Sequence, residues 1–405
     1  MHTLWDDRFA RRTDSIGSSA IRELLKLTSL PDVISFAGGL PAPEVFPIER
    51  FKEAAEVVLT EMGDLALQYG TTEGYQPLRE MIASNAGKYG IQISADNVLI
   101  TTGSQQALDL LGKIFINRGD RILVESPTYL GALQAWNAYG VKYITIPFDD
   151  DGMRTDLLEA RLRRGIKFIY VLPNFQNPTG VTLSRERRVQ LVELANAYGV
   201  PIVEDDPYGQ LRYEGEHIPP VVVLDDEIRS KEVPIYSGNV IYTSTFSKIL
   251  APGLRLAWVI APSEVIKKLV QAKQGADLNT STLNQFLAYE VANGPWMDTH
   301  IQTIRETYKE RRDVMLQALE TYMPEGVQWT HPQGGLFLWA TLPENISTTE
   351  IFPAAVEKKV AFVPGTSFFP LGGGENTMRL NFSCMRPELI MEGIKRLAEV
   401  IKQYL

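Results

Sequence analysis

Between Val98 and Ala261, short apolar runs alternate with amphipathic stretches, and this alternation constrains the fold more than any other feature of the chain. Val98–Thr101 reads as a strand, then comes Gly103, then a helix from Ser104 to about Ile116. Residues 121–125, 143–147 and 168–172 are further strands. Arg185–Tyr198 is helical by pattern, with Val189, Leu191, Val192 and Leu194 among its apolar positions, and Gly199 stops it. Residues 201–204, 240–244 and 257–261 complete a set of short strands apolar enough to be buried on both faces. Strands of this kind with helices between them predict an α/β fold, a mostly parallel sheet covered on both sides. Ligands in such folds gather beyond the carboxyl ends of the strands, so that edge is where chemistry is sought.

The C-terminal region reads differently. Trp296–Tyr322 is a long, charged, amphipathic helix pattern, followed by strands at 334–340, 361–363 and 379–382 and a helix from Pro387 to about Tyr404. This predicts a smaller α+β domain, joined by an N-terminal helix at 18–27. A chain of 405 residues exceeds one ordinary domain. The expected division is a large domain over 48–290 and a small one from 1–47 and 291–405. No internal repeat is evident, and Gly372-Gly373-Gly374 reads as a flexible loop.

Four features stand where predicted strands end. Ser244-Thr245-Phe246-Ser247-Lys248 follows an apolar strand, and Arg255 comes shortly after. A lysine amine beside an aldehyde cofactor can form a Schiff base. The hydroxyls and the forked guanidinium suit a phosphate; the bland reading is an ordinary polar loop. Glu204-Asp205-Asp206-Pro207-Tyr208 reads either as solvated acids capping a strand or as a specific pair. In the second reading Asp205 partners a protonated pyridine nitrogen and Tyr208 bonds the ring's phenolic oxygen. Pro173 to Gly180 is punctuated as a loop, and Asn177 within it offers a second bond to that oxygen. Thr102-Gly103-Ser104-Gln105 lies at a strand-to-helix turn, where unpaired N–H groups attract phosphate and Ser104 reads as an N-cap.

Composition narrows the alternatives. Net charge is −9 with acids and bases interleaved, which argues against a nucleic-acid surface. No run approaches the roughly 18 apolar residues of a membrane span. The N-terminal residues carry no basic-then-apolar signal pattern. Cys384 is the only cysteine, so a reducing, cytoplasmic setting is expected. His2, His217, His300 and His331 lie at no metal-ligand spacing, and no metal is expected. The G-x-G-x-x-G fingerprint of dinucleotide enzymes is missing.

Taken together, Asn177-Pro178-Thr179-Gly180, Asp205-x-x-Tyr208 and Ser247-Lys248 with Arg255 resemble the fold-type-I, pyridoxal-phosphate-dependent class I/II aminotransferases. The resemblance runs from about Ser18 to the C-terminus. It implies a large domain built on a mostly parallel seven-stranded sheet, and pyridoxal 5′-phosphate held on Lys248. Gly103, Ser104, Gln105, Thr245, Ser247 and Arg255 would hold the phosphate, and Asn177, Asp205 and Tyr208 the ring. It further implies that Tyr129 stacks on the ring and that Tyr69 reaches the phosphate of a neighbouring subunit, hence a homodimer. Arg379 would bind the substrate α-carboxylate, and Gly38 and Gly39 would line the entrance. An arginine inside the apolar run 378–382 also demands a partner on its own account.

Residues 18–23 and 35–41 are most similar to the 2-aminoadipate/kynurenine aminotransferase subgroup. There the N-terminal helix covers the substrate, so Arg22 would attract a second carboxylate; otherwise it is a surface arginine. The resemblance implies ping-pong transfer of an amino group between an L-amino acid (2-aminoadipate, glutamate, aromatic or branched-chain) and a 2-oxo acid. The competing readings are a β-lyase or related reaction on the same fold and a cofactor-sensing regulator. The second is disfavoured by the few residues preceding the family domain.

Overall fold

The computed structural model describes residues 3–16, 32–229 and 235–405. Its strands, in chain order, are β1 (Ile34–Ser35), β2 (Val98–Thr101), β3 (Arg121–Ser126), β4 (Lys142–Asp149), β5 (Gly152–Met153), β6 (Ile166–Val171) and β7 (Ile202–Asp205). They continue with β8 (Val240–Thr245), β9 (Ala257–Ile260), β10 (Gln328–Trp329), β11 (Phe337–Thr341), β12 (Val360–Ala361), β13 (Val363–Pro364) and β14 (Thr377–Asn381).

The large sheet has the order β2-β9-β8-β7-β6-β3-β4-β5. From β8 to β4 all neighbours are parallel, whereas β9 runs antiparallel to both β2 and β8. The expected seven strands are present, and an eighth, β5, adds a two-residue hairpin to the edge through the turn Asp150-Asp151. Gly152 makes that return possible: it sits at φ 92, and a Cβ there would lie 2.9 Å from the Leu183 backbone.

Both faces of the sheet are covered, as apolar strands require. Helices Ser104–Phe115, Leu130–Asn137 and Ser263–Gln274 close over Leu99, Val124, Tyr170, Val203 and Val259. Helices Arg185–Tyr198 and Val221–Ile228 close over Ile169, Val171, Ile202 and Val240 on the other side. The pleat therefore sends odd and even residues of one strand into different cores.

The C-terminal part forms an antiparallel sheet, β10-β11-β14-β13, beside the short parallel pair β1-β12. The single strand expected at 361–363 is instead two pieces in different sheets. Fully buried Phe362 lies between them, and its side chain faces the Phe352 ring edge-on at 5.4 Å. The 27-residue helix Trp296–Tyr322 shares a core with Pro387–Ile401. The helix expected at 18–27 lies outside the described residues.

One buried cation ties the loop after β6 to its surroundings. Arg188, fully buried, donates to the carbonyls of Leu183, Pro173 and Pro219 at 2.9, 2.9 and 3.0 Å and to Asn174 Oδ1 at 2.7 Å. Arg188→Ala strands these acceptors without a donor. It should cost about 3 kcal/mol or more of unfolding free energy, read as a fall in the urea midpoint; an unchanged midpoint would contradict this assignment.

Candidate active site

The run Glu204-Asp205-Asp206 closes β7, and the solvated-cap reading of it is overturned. The three residues are buried, with exposures of 0, 2 and 5%. Alternation gives each a different errand. Glu204 accepts the N–H groups of Val221 and Val222, at 2.8 and 2.9 Å, at the start of a helix, and burial pushes its carboxyl up to about 8. Asp206 accepts from Asn174 Nδ2 at 2.9 Å and from the Tyr242 hydroxyl at 3.1 Å. Asp205 accepts the Tyr170 hydroxyl on Oδ2 at 2.8 Å, and its Oδ1 has no partner. Burial raises the Asp205 carboxyl to about 7, the Tyr170 bond opposes the rise, and Asp206 adds to it.

Lys248 lies in the connection between β8 and β9. Its Nζ donates to the Gly39 carbonyl at 2.7 Å. Burial, then the positive charges of Arg379 and Arg255, lower it to about 8. Upstream, Thr245 Oγ1 bonds the Leu256 carbonyl at 3.0 Å, accepts the Ser247 N–H at 3.0 Å and lies 2.9 Å from Ser247 Oγ. These contacts hold the turn carrying the lysine.

The helix Ser104–Phe115 begins differently from the sequence reading. Gly103, not Ser104, is the N-cap, at φ 77, and no side chain caps the helix. Its first N–H groups are left for a ligand. A Cβ at Gly103 would collide with the Arg255 guanidinium, so the glycine lets that cation close on the helix start. The Gln105 side chain is committed elsewhere, to the Gly131 carbonyl at 2.7 Å, which leaves its backbone N–H as its offering.

Arg379 comes from β14, across from the large sheet. Its Nη1 donates to Asn177 Oδ1 at 2.9 Å and its Nη2 to the Ala37 carbonyl at 2.6 Å. Its guanidinium carbon lies 4.3 Å from the Phe337 ring centre and 5.1 Å from that of Phe368. It is 2% exposed, its Nε has no partner, and burial lowers it to about 10. Tyr208, 4% exposed, meets Phe337 edge-on, and the nearby Asn177 side chain opposes the rise that burial gives its phenol. Tyr129 lies close enough to Asp205, Arg379 and Arg255 to feel all three charges. The segment bearing Gly38 and Gly39 is tied to β14 by Asn381 N–H to the Phe36 carbonyl, 2.9 Å.

The structure thus brings Lys248, Asp205, Tyr208, Asn177, Tyr129, Arg379, Gly39 and the Gly103 turn near one another, with the exposed Arg255 at their margin. Tyr69 is 80% exposed and is not part of this cluster within one chain. Arg22 lies outside the described residues. A separate cavity of about 660 Å³, lined by Tyr89, His217, Tyr242 and Trp258, lies on the Asp206 side of β7.

Sequence reasoning missed Tyr170 and the pair Glu125–Gln176. Gln176 donates to Glu125 Oε2 at 3.2 Å and to the Pro127 carbonyl at 2.9 Å, and accepts the Thr179 hydroxyl at 2.7 Å. It stitches the Asn177 loop to the Tyr129 loop. Phe175, just before it, is held in the left-handed region at φ 48. The available signal is a tyrosine inside an apolar strand, since a buried phenol needs a partner.

The residues fit a flat, anionic, nitrogen-containing ring. Asp205 offers a buried carboxylate oxygen without a partner, the helix after Gly103 an uncapped start beside Arg255, and Lys248 an amine with lowered proton affinity. These groups suit pyridoxal 5′-phosphate. The family model for aminotransferase class I and II matches residues 32–397, and the chain belongs to that family. It is 50% identical to aromatic-amino-acid aminotransferase 1 of Thermococcus litoralis, over 98% of this chain and 95% of that one. It is 44% identical to the 2-aminoadipate transaminase of Thermus thermophilus, over 98% of this chain and 97% of that one. Among solved structures it is similar to LysN, an α-aminoadipate aminotransferase of Thermus thermophilus, complexed with N-(5′-phosphopyridoxyl)-L-leucine. The TM-score is 0.92, with 43% identity and 99% of both chains covered. The chain is a pyridoxal-phosphate-dependent aminotransferase.

Asp205 makes the cofactor-free protein sensitive to pH. Its folded-state pKa is raised, so its contribution to stability is full below the unfolded value near 4 and is lost as pH rises through about 7. Cofactor-free Asp205→Asn should therefore be more stable than the parent at pH 8, by about 1–3 kcal/mol, and no more stable at pH 4. Denaturation curves at both pH values check this; parallel behaviour of the two proteins would contradict it.

Proposed function

We propose that the chain moves an amino group between an L-amino acid and a 2-oxo acid, with Lys248 as cofactor anchor and proton carrier. The observation that carries this reading is Arg379: a buried guanidinium with no carboxylate partner among the described residues, in one cluster with Lys248. A substrate carboxylate supplies the missing partner. When bound, pyridoxal 5′-phosphate supplies an electron-withdrawing ring that stabilises negative charge at the substrate Cα.

The protein's residues do the rest. Arg379 grips the α-carboxylate and orients the Cα–H bond toward Lys248. The Lys248 amine, with its proton affinity lowered to about 8, takes the Cα proton and delivers it one step along the skeleton. Asp205 Oδ1 would keep the ring nitrogen protonated. Asn177 and Tyr208 would bond the ring's phenolic oxygen, with Tyr129 against the ring. The N–H groups after Gly103 (those of Ser104 and Gln105) and Arg255 would hold the phosphate, with Thr245 and Ser247 joining if their hydroxyls turn from the contacts within their own loop. Gly38 and Gly39 line the entrance, where a side chain at Gly39 would press on Phe337 at 3.0 Å.

Tyr69, exposed here, completes the phosphate site of a second copy, which makes the functional unit a homodimer. The partition of strands between two sheet systems supports a large unit over 48–290 and a small one from 1–47 with 291–405. Among the described residues no helix is long and apolar enough to cross a membrane, and we place the enzyme in the cytoplasm. For substrate class we propose 2-aminoadipate and glutamate, with aromatic and branched-chain amino acids also accepted. Arg22 meets the second carboxylate of the acidic ones. The names of the two relatives, one aromatic and one 2-aminoadipate, support this breadth.

Steady-state assays with 2-oxoglutarate as acceptor test the reading. Lys248→Ala should lower kcat by at least about a thousandfold; near-native turnover would overturn the role of Lys248. Arg379→Ala should raise KM for every amino acid by at least about tenfold. Arg22→Ala should raise KM for 2-aminoadipate and glutamate more than for leucine; equal effects would remove Arg22 from substrate choice.

A further inference from the structure

Asp205 has two oxygens, and only one of them is free. We propose that Tyr170 is a positioning residue that fixes Asp205 so that Oδ1 faces the ring nitrogen, thereby setting cofactor affinity and the pH at which the Lys248–cofactor linkage titrates. The proposal rests on the site reading above and concerns a fully buried side chain that acts through Asp205.

The geometry carries it. Tyr170 and Asp205 lie on adjacent parallel strands, in a register that pairs Tyr170 with Val203 and so puts Tyr170 and Asp205 on the same face. The phenol donates to Oδ2 at 2.8 Å, while Oδ1 is buried without a partner. The Tyr170 ring is itself held: it is fully buried, and Trp136 meets it edge-on at 5.0 Å and 86°. Trp136 is in turn fixed by its indole N–H on the Leu108 carbonyl at 2.8 Å. A carboxylate with one oxygen pinned by a locked donor presents the other in a single direction.

The charge balance follows. Asp205 is faced by Tyr170 from β6, by Tyr129 and Tyr208 from the flanking loops, and by Asp206, which follows it in the chain. Thr243, its register partner on β8, is neutral. Of these groups, the Tyr170 phenol is the one that favours the ionised carboxylate, and Asp206 opposes it. Without the phenol, Asp205 gains proton affinity and competes with the ring nitrogen for the shared proton. A ring with less positive charge lets the nearby linkage keep its own proton to higher pH.

Tyr170→Phe removes one oxygen and keeps the ring against Trp136. Titrating pyridoxal 5′-phosphate into the cofactor-free protein, followed by the visible band of the bound cofactor, should give a Kd raised roughly tenfold. The midpoint of that band's pH titration should move upward by about half a unit or more. Tyr143→Phe is the control: it also deletes a phenol from this layer, one bonded to Asn137 Oδ1 at 2.7 Å and remote from Asp205. It should lower Tm while leaving Kd and midpoint unchanged. An unshifted Tyr170→Phe titration, or an equal shift in Tyr143→Phe, would overturn the proposal. A wild-type protein showing no Lys248-dependent band would overturn the site reading itself, and this inference with it.

Discussion

The contact from Arg379 to Asn177 joins the two halves of the candidate active site. Arg379 belongs to the antiparallel C-terminal sheet, and Asn177 to the loop leaving the parallel sheet. The same guanidinium reaches the Ala37 carbonyl, so three distant stretches of chain converge on one planar cation. Aromatic faces of Phe337 and Phe368 flank it, and no acid neutralises it among the described residues. A buried cation in that condition is costly. The surrounding packing fixes it, and in the role proposed for Arg379 an anionic substrate would recover the cost.

The carboxyl edge of the large sheet follows the same logic. β7 ends in Glu204-Asp205 with Asp206 just after it, and Asp205 turns to Tyr170 while Glu204 and Asp206 find other partners. Two of them are consumed structurally, by a helix start and by Asn174 with Tyr242. The one left half-satisfied, Asp205, is the one proposed to meet the cofactor. Structural and functional acids therefore sit side by side in sequence, separated only by the alternation of a strand.

Much of this is legible in the sequence. Short apolar runs at 98–101, 168–172 and 240–244 fall within a residue or two of their strands, because burial on both faces leaves few alternatives. Lys248, Asp205, Asn177 and Arg379 stand out as candidates because each is a polar group within, at the end of or in the loop after an apolar strand, but the roles expected of them come from the family resemblance. What stays hidden depends on partners far away in sequence. Tyr170 reads as core until its phenol meets Asp205, 35 residues on. Gln176 reads as loop filler until it bridges to Glu125, and Ser104 reads as a cap until Gly103 takes that place with a positive φ. The eighth strand is hidden beside an acidic turn, too short to show a period.

The central claim is that Lys248, and no other lysine, holds the cofactor. Reduction of the cofactor-loaded protein with borohydride, followed by proteolysis and mass spectrometry, tests it directly. The account predicts a stable phosphopyridoxyl mass on the peptide carrying Lys248 and on no other peptide, with the label lost in Lys248→Ala. A label on a different lysine, or none on Lys248 in the native enzyme, would contradict it.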